Sequence, residues 1–479
     1  MKKQRHTKKS RQKSDLFRTK CGKDQTQAQS SSTGAPGKDR KKTEAGNEPS
    51  PPAAPLVRIE KPIYGGAFLA RVAGKAVFVP LTLPGEEARV RIVEEKRNFA
   101  TAEVEEIVAP ARERIAPLCP HFAACGGCCY QHADYAAQLG YKQQILRETL
   151  ARGGVQAPEE MAVLAAQPWS YRNRVRLAVD AKGHVGYRGR RSHAIVPLTE
   201  CPIAAPLLTR TVLATGALLR DLPQKTRVSE IALFCDAQES ALLASVTMAH
   251  GGILAFDEFA RELVHAVPEV LGVEFAAEAV ERQPPQRLAL WGASSLAYRA
   301  AGFDDRVDHG AFFQVNRWLV DALVDRVVGN TQGELAWDLF SGVGLFARRL
   351  ADRFARVVAV ESAPQSADAL AHNLRDTKAT AVKATTRDFL RRKLHGKRSD
   401  GIVPDLIVVD PPRAGLGAET TALLAAAAAP QIVYVSCDPA TLVRDLRVLI
   451  AAGYKIEQIT LADLFPQTFH LETIVRLRR

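Results

Sequence analysis

The sequence predicts a multidomain α/β protein with a small N-terminal β-barrel, a central α+β domain and a C-terminal doubly wound parallel sheet. Three observations predict this organisation. Residues 57–108 form short apolar runs of period two between Gly and Pro-Gly breaks, a pattern typical of strands joined by tight turns. Residues 111–130 carry a cluster of four of the eight cysteines. After about residue 310, apolar strand-like runs alternate with helical sequence, which predicts a parallel sheet.

Composition places the chain among globular proteins rather than membrane or secreted ones. It has 479 residues, 46% of them hydrophobic and 24% charged, enough for two to four domains. No apolar run approaches the roughly 18 residues needed to cross a bilayer. The basic N-terminus is not followed by the apolar stretch of a secretory signal. We therefore expect a cytoplasmic protein with no membrane partner.

The first 54 residues are predicted to be a disordered basic tail. Residues 1–50 hold 14 Lys and Arg against 5 Asp and Glu, a surplus of +9 in a chain whose net charge is +13. Such a tail is either a solvated solubility segment or an arm that binds phosphates. A second basic group within folded sequence favours a nucleic-acid partner, and it comprises Arg172, Arg174, Arg176, Arg188, Arg190 and Arg191.

Local patterns then predict each folded element in order. Residues 55–110 predict a five-stranded barrel, an architecture that often binds oligonucleotides but is as often purely structural. Residues 131–162 contain an amphipathic helix that ends at Gly153. The α+β region, residues 163–305, includes a hairpin in RNRVRLAVDAKGHVGYRG. Residues 306–479 contain the strands LAWDLF, RVVAVE, DLIVVD and QIVYVS of the parallel sheet.

A glycine turn in WDLFSGVGLFARRLA predicts a site for a nucleoside cofactor. Gly342 and Gly344 allow the backbone to approach a ligand at the start of a helix. Glu361 ends the next strand, where its carboxylate can bind two ribose hydroxyls. The spacing from Gly342 to Ala347 also fits a dinucleotide site, so a nicotinamide dehydrogenase is an alternative at this point.

Two strand ends and the C-terminal segment carry groups suited to chemistry on a pyrimidine ring. Asp410 precedes two prolines that stiffen its loop, and it can accept from the imino N–H of a base. Cys437 follows the strand QIVYVS and is expected to open onto the same crevice. Glu472 lies just before the last strand. A thiolate that adds to C6 of a uracil makes C5 nucleophilic towards a methyl donor, and a base must then remove the C5 proton.

The clustered cysteines predict a metal site rather than disulfides. Cys119, Cys125 and Cys128 have the spacing C-x5-C-x2-C in a chain without an export signal. Cys201, in LTECPI, is the predicted fourth ligand, whereas Cys129 is interpreted as a bystander. Spacing alone leaves both an iron–sulfur cluster and zinc open.

Taken together, the sequence resembles the bacterial RNA uracil-5-methyltransferases, specifically the cluster-containing branch that acts on 23S ribosomal RNA. The resemblance covers about residues 55–479 and includes, in the family's order, CGGC-x-x-QH, YRNRVRL, CPI, FFQVN, DLFSGVG, VVDPPRAG, YVSCDP and DLFPQTFHLE. It implies an OB-like TRAM barrel over residues 55–110. It also implies a central RNA-binding domain, residues 111–130 and 163–305, that holds a four-iron–four-sulfur cluster. The segment 131–162 is then expected to pack on a Rossmann-like methyltransferase domain, residues 306–479.

The resemblance also implies residue roles. Cys437 is the expected nucleophile and Glu472 the expected base. The expected contacts of S-adenosylmethionine are Gln314, Phe340, Glu361, Asp388 and Asp410, and the expected cluster ligands are Cys119, Cys125, Cys128 and Cys201. Asp438 stands where relatives often have asparagine, and its charge would raise the pKa of the neighbouring thiol unless it points away.

The implied activity is methyl transfer to C5 of a uridine in 23S rRNA by a monomeric enzyme. The same chemistry on a tRNA uridine is an alternative within the class. A catalytically silent RNA-binding protein is an alternative outside it, and the complete set of reactive residues argues against that one.

Overall fold

The computed structural model describes residues 54–221, 227–249, 255–279, 286–395 and 402–479. The predicted basic tail, apart from Ala54, lies outside these ranges. Residues 54–479 belong to one compact unit. Within the described ranges, no helix is both long and apolar enough to span a bilayer.

The N-terminal sheet has six strands, one more than the sequence predicts. Its order is β1-β5-β6-β4-β3-β2, and all pairs are antiparallel except β4 with β6. The additional strand arises because the first predicted strand is interrupted at Ile59 and Glu60. Its first half, β1, pairs with β5, and its second half, β2, pairs with β3. The strands are β1 (Leu56–Arg58), β2 (Lys61–Ile63), β3 (Ala67–Val72), β4 (Lys75–Pro80), β5 (Glu87–Glu95) and β6 (Phe99–Ala109).

A cysteine-bearing loop and one long helix follow the barrel. Helix α1 (Tyr135–Arg152) begins where the Asp134 side chain accepts from the Ala137 N–H at 2.7 Å, and it ends at Gly153 as predicted. The short strand β7 (Ala162–Leu164) pairs in parallel at the far edge of the C-terminal sheet. This strand lies where the sequence predicts the passage from the helical segment to the central domain.

In the part of the central domain that the structure describes, a seven-stranded sheet is accompanied by two helices. Its strand order is β10-β9-β8-β11-β12-β13-β14, and β8 with β9 forms the predicted hairpin. Its elements are β8 (Arg174–Val179), β9 (Val185–Arg188), β10 (Ile195–Pro197), α2 (Pro206–Asp221), β11 (Val228–Cys235), β12 (Leu242–Met248), α3 (Phe256–Ala266), β13 (Val270–Ala277) and β14 (Arg287–Gly292).

The C-terminal domain is an eight-stranded mixed sheet with the order β19-β18-β17-β20-β21-β23-β22-β7. The four apolar strands predicted from sequence lie side by side in parallel at its centre. The elements are β15 (Ser295–Ala300), β16 (Phe303–Asp308), α4 (Val320–Val328), β17 (Gly333–Leu339), α5 (Leu345–Leu350), β18 (Phe354–Glu361), α6 (Pro364–Leu374), β19 (Ala379–Lys383), α7 (Thr386–His395), β20 (Leu406–Val409), α8 (Gly417–Ala426), β21 (Gln431–Ser436), α9 (Pro439–Ala451), β22 (Lys455–Ala462) and β23 (Glu472–Arg478).

Two apolar layers cover the faces of this sheet. Helices α4, α5 and α6 contribute to one layer, and α1, α7, α8 and α9 contribute to the other. The hairpin of β15 and β16 packs in the first layer, against α6. The predicted boundary between residues 305 and 306 cuts through β16, and the hairpin packs both on α6 of the C-terminal domain and, through Tyr298, on Phe234 of the central sheet.

Candidate active site

The sheet topology brings four predicted residues to one edge. Asp410 and Cys437 follow the carboxyl ends of the neighbouring parallel strands β20 and β21. Strand β23 runs antiparallel to β21, and Ser436 pairs with Thr473, so Glu472 at the start of β23 lies beside Cys437. Gln314 donates from Nε2 to Oδ2 of Asp410 at 3.4 Å. The thiol and the two carboxylates thus share one crevice.

Burial and mutual repulsion shift the proton affinities of these groups. Burial, followed by the charges of Glu472 and Asp410, raises the pKa of the Cys437 thiol to about 12, and Arg413 opposes the shift. Burial and the neighbouring Asp410 raise the pKa of Glu472 well above its ordinary value. Burial also raises the pKa of Asp410. Each carboxylate in this crevice therefore binds a proton more readily than it would in water.

The Asp438 side chain points away from the thiol, which is the exception allowed for when its charge was considered from sequence. Its Oδ1 accepts from the N–H groups of Ala440 and Thr441, at 3.0 and 2.9 Å, and so caps helix α9. Its Oδ2 accepts from the hydroxyl of Tyr64 at 3.4 Å. The charge of Asp438 is thus directed at the positive end of a helix, where backbone N–H groups stabilise it.

The glycine turn is fixed by the acid that ends the next strand. Glu361 accepts from Gly342 N through Oε2 at 2.9 Å, and from Ser362 N and Ala363 N through Oε1 at 2.6 and 2.7 Å. A carboxylate has about four acceptor positions, so these bonds leave Oε2 able to accept one more donor. Phe340 precedes the turn with φ at 65°, a conformation that is uncommon for a bulky residue.

Asp388 has a local structural role. It lies in the first turn of α7, where its Oδ2 accepts from the hydroxyl of Thr385 at 2.7 Å and its N–H donates back to that hydroxyl at 3.1 Å. This reciprocal pair closes the start of the helix. The side chain is about half exposed, so a cofactor contact there stays a prediction.

Two further groups belong to the site although sequence reasoning missed them. Asp338 is fully buried within β17, and burial beside Asp410 raises its pKa to about 7, although hydrogen bonds from Ala347 and Ser341 oppose the shift. An acid within the otherwise apolar run LAWDLF is the signal that marks it. Arg413, on the proline loop after Asp410, supplies the positive charge that acts on Cys437 and Glu472.

The four predicted cluster cysteines line one small cavity in the central domain. Its lining comprises Cys119, Phe122, Cys125, Gly127, Cys128, Gln131, Arg172, Tyr187, Cys201, Pro202 and Ile203. Cys129 is not part of it and packs instead near Gly66 of the barrel. The donor set suits a thiolate-bound cluster, and the buried guanidinium of Arg172, whose Nε has no hydrogen-bond partner, would offset its negative charge.

Across the described ranges, no group of three or more His, Cys, Asp or Glu side chains is arranged to hold one metal ion. The cavity lining identifies the candidate ligands, and both an iron–sulfur cluster and zinc stay open as the bound group.

The predicted basic group divides into buried and exposed members. Arg172 lines the cysteine cavity, and Arg174 stacks on Phe234 with its guanidinium 4.4 Å from the ring centroid. Arg188 and Arg191 are exposed. The cysteine loop holds their turn in place, because Gly126 N donates to Arg188 O at 3.0 Å and Arg190 N donates to Ala124 O at 2.9 Å.

Two segments of the chain match family models. Residues 56–104 match the TRAM domain, which confirms the predicted identity of the barrel. Residues 294–479 match the tRNA (Uracil-5-)-methyltransferase family.

Full-length relatives extend this match across the chain. This protein is 33% identical over 443 residues to the 23S rRNA (uracil(1939)-C(5))-methyltransferase RlmD of Chromohalobacter salexigens, and the match covers 88% of each chain. It is 33% identical over 441 residues to the RlmD of Azoarcus sp. strain BH72, covering 89% of this chain and all of that one. An RNA methyltransferase of Streptomyces coelicolor, named as uncharacterized, is 35% identical over 445 residues, covering 86% of this chain and 90% of that one.

A solved structure shares the fold. The tRNA (uracil-54, C5)-methyltransferase of Pyrococcus abyssi, in complex with S-adenosyl-L-homocysteine, superposes with a TM-score of 0.70 and 23% identity. The match covers 88% of this chain and 99% of that one.

The matched family model and the full-length relatives, on a fold shared with the solved methyltransferase, thus define an S-adenosylmethionine-dependent methyltransferase. Its substrate class follows from the matched family model together with the full-length relatives. The chain belongs to the RNA uracil-5-methyltransferase family.

Proposed function

We propose that this enzyme methylates C5 of a specific uridine in 23S rRNA through a covalent bond between Cys437 and C6 of the base. The observation that carries the mechanism is the convergence of Cys437, Glu472 and Asp410 at one sheet edge beside the glycine turn. The two RlmD relatives support 23S rRNA as the substrate.

Each residue has a distinct task in this proposal. The Cys437 thiolate adds to C6, which makes C5 nucleophilic, and C5 takes the methyl group that bound S-adenosylmethionine supplies. Glu472 then removes the C5 proton, the C5–C6 double bond re-forms, and the C6–S bond breaks to release the thiolate. Burial makes Glu472 a stronger base than a solvated carboxylate, which suits this step.

Asp410 and Arg413 are proposed to manage the charges around the base. Asp410 accepts from Gln314 and faces the crevice, where a carboxyl can pair with the uracil N3–H. Arg413 favours the thiolate because its charge opposes the effect of the two acids on Cys437. It also offsets the negative charge that develops on the uracil once sulfur adds to C6.

Two variants test the covalent mechanism. Cys437→Ala should abolish formation of 5-methyluridine in unmodified 23S rRNA while S-adenosylmethionine still binds with near wild-type affinity. Cys235→Ala, which alters a buried thiol of the central sheet, is the matched control and should stay active. Glu472→Gln should instead accumulate a protein–RNA adduct on a denaturing gel, because the C5 proton is retained. An active Cys437→Ala enzyme would refute the mechanism.

The substrate is tested by comparing RNAs rather than variants. Mass spectrometry of 23S rRNA and tRNA from cells with and without the gene should show one 5-methyluridine lost from 23S rRNA alone. The tRNA alternative has support from the tRNA-directed name of the Pyrococcus abyssi structure. Loss of the modification from tRNA, with 23S rRNA unchanged, would establish that alternative.

We further propose that Cys119, Cys125, Cys128 and Cys201 hold a four-iron–four-sulfur cluster with a structural role. The cluster would fix the loop that carries Arg188 and Arg190 against the RNA. Anaerobically purified protein should contain iron and sulfide and absorb in the visible range. Cys125→Ser should lose both, whereas Cys129→Ser, outside the cavity, should retain them. A colourless protein that contains zinc would contradict the proposal.

A further inference from the structure

A row of aromatic rings joins the barrel to the mouth of the active site. We call it the aromatic rim, and it consists of Tyr64, Phe469, His470 and Phe465. Tyr64 meets Phe469 edge to face with centroids 5.5 Å apart, Phe469 lies 4.4 Å from His470, and His470 lies 5.5 Å from Phe465. Tyr64 comes from the turn between β2 and β3, and the other rings come from the loop that leads into Glu472.

The rim is fixed on both sides of the domain contact. The Tyr64 ring packs on the apolar layer of the methyltransferase domain, and the Phe469 ring packs on the core of the barrel. Gly66 lies directly behind, with φ at 84°, and a Cβ there would come within 2.9 Å of the Cys129 sulfur and 3.2 Å of Phe469. Only glycine allows the barrel turn to lie this close to the ring.

The rim is adjacent to the reactive groups. The Tyr64 hydroxyl lies 3.4 Å from Oδ2 of Asp438, the residue after Cys437. His470 is two residues from Glu472, and its Nδ1 lies 3.4 Å from Nη2 of Arg413. All four rings of the rim remain partly exposed, and Arg413 is exposed. An apolar, π-rich surface next to a positive charge thus borders the crevice.

We propose that Tyr64, Phe469 and His470 form a stacking subsite for a nucleotide that flanks the methylated uridine. Single-stranded RNA is recognised by stacking of its bases on aromatic rings, together with arginine contacts to its backbone. The rim supplies the rings and Arg413 the charge. On this view the barrel is part of the active-site wall, because Tyr64 supplies one ring of the subsite. The inference rests on the proposed activity towards RNA.

The test distinguishes stacking of an RNA base on the rim from packing of the barrel on the methyltransferase domain. Tyr64→Leu and Phe469→Leu keep apolar volume in the domain contact but remove the ring, whereas Tyr64→Phe keeps the ring. Phe78→Leu is the matched control, because Phe78 and Phe99 form another half-buried aromatic pair, 5.4 Å apart, within the barrel. Affinity for unmodified 23S rRNA transcript is measured over a series of salt concentrations, alongside the urea midpoint of each variant.

We expect Tyr64→Leu and Phe469→Leu each to weaken RNA binding by roughly fivefold to a hundredfold, the range for loss of one stacked base. The dependence of affinity on salt should not change, because no phosphate contact is removed. Tyr64→Phe and Phe78→Leu should bind RNA as the wild type does. Lower urea midpoints with unchanged RNA affinity in the two leucine variants would overturn the inference, since the rim would then only hold the domains together.

Failure of this inference is distinct from failure of the proposed function. A wild-type enzyme that methylates 23S rRNA, with rim variants that bind it normally, overturns the subsite alone. A wild-type enzyme that neither binds nor methylates RNA overturns both.

Discussion

Replacing Lys142 with methionine tests how helix α1 holds the catalytic segment in place. Lys142 is fully buried, and its Nζ lies 2.5 Å from Oδ1 of Asp463 and 2.9 Å from the carbonyl of Phe465. Asp463 also accepts from the Tyr135 hydroxyl at 2.8 Å. Asp463 and Phe465 belong to the loop that leads into Glu472. The lysine therefore fixes the approach to the proposed base.

The magnitude follows from what the substitution leaves behind. Methionine keeps the apolar stem of the side chain but leaves the Asp463 charge without its cation and the Phe465 carbonyl without its donor. Removing one partner of a buried ion pair costs about 3–5 kcal/mol of unfolding free energy. The double variant Lys142→Met/Asp463→Asn removes the stranded charge and leaves mainly the unpaired carbonyl, so it should lose only about 1–3 kcal/mol.

Urea unfolding of the full chain measures these differences, and methylation of 23S rRNA measures their effect on the site. We expect the single variant to be the less stable of the two and to have a reduced kcat. The control is Arg91→Ala, which breaks an exposed pair with Glu103 and should cost less than about 1 kcal/mol. A Lys142→Met enzyme as stable as this control, or a double variant less stable than the single one, would refute the reasoning.

Three other outcomes follow from charge and burial. Glu472→Gln should lower the thiol pKa of Cys437 and speed its alkylation by iodoacetamide at pH 8, measured on the cysteine peptide; an unchanged rate would contradict the electrostatics. Changing Arg188 and Arg191 to glutamine should weaken RNA binding. The plot of log binding constant against log salt concentration should become less steep, by about one in slope for each arginine that contacts phosphate. Burial lowers the pKa of His309 from 6.5 to about 4. The free energy of unfolding that neutral His309 contributes above pH 6.5 should therefore be lost, by about 3 kcal/mol, as the pH falls to 4. Urea titrations at both pH values measure this loss, and His309→Gln should abolish it.

Local signals in the sequence were sufficient for the order of the elements. The runs LAWDLF, RVVAVE, DLIVVD and QIVYVS are strands in the structure, and Gly153 ends the helix that it was predicted to end. These features depend on neighbouring residues, through side-chain periodicity and the conformations that glycine and proline allow. Because parallel strands end at a common edge of the sheet, the sequence also predicted that Asp410 and Cys437 lie close together.

Features that depend on distant pairing were not predictable in this way. β7 joins the C-terminal sheet through pairing with residues some 300 positions away, and its three residues carry no local signal of that partner. Lys142 and Gln138 look like solvent-facing residues of an amphipathic helix, yet both are buried because Asp463 and Gln467 meet them. A buried polar side chain is stable only when its partner is in place, and the partner is set by the fold.

The sequence by itself determined the family, the strand and helix order, and which residues carry reactive groups, because these depend on residue type and spacing. The tertiary structure decided which of those groups meet. It placed Glu472 beside Cys437 through an antiparallel strand, turned Asp438 to the end of a helix, and brought Tyr64 from the barrel to the same crevice. Charge, burial and ring contact depend on distances in space, and those distances exist only once remote segments have packed together.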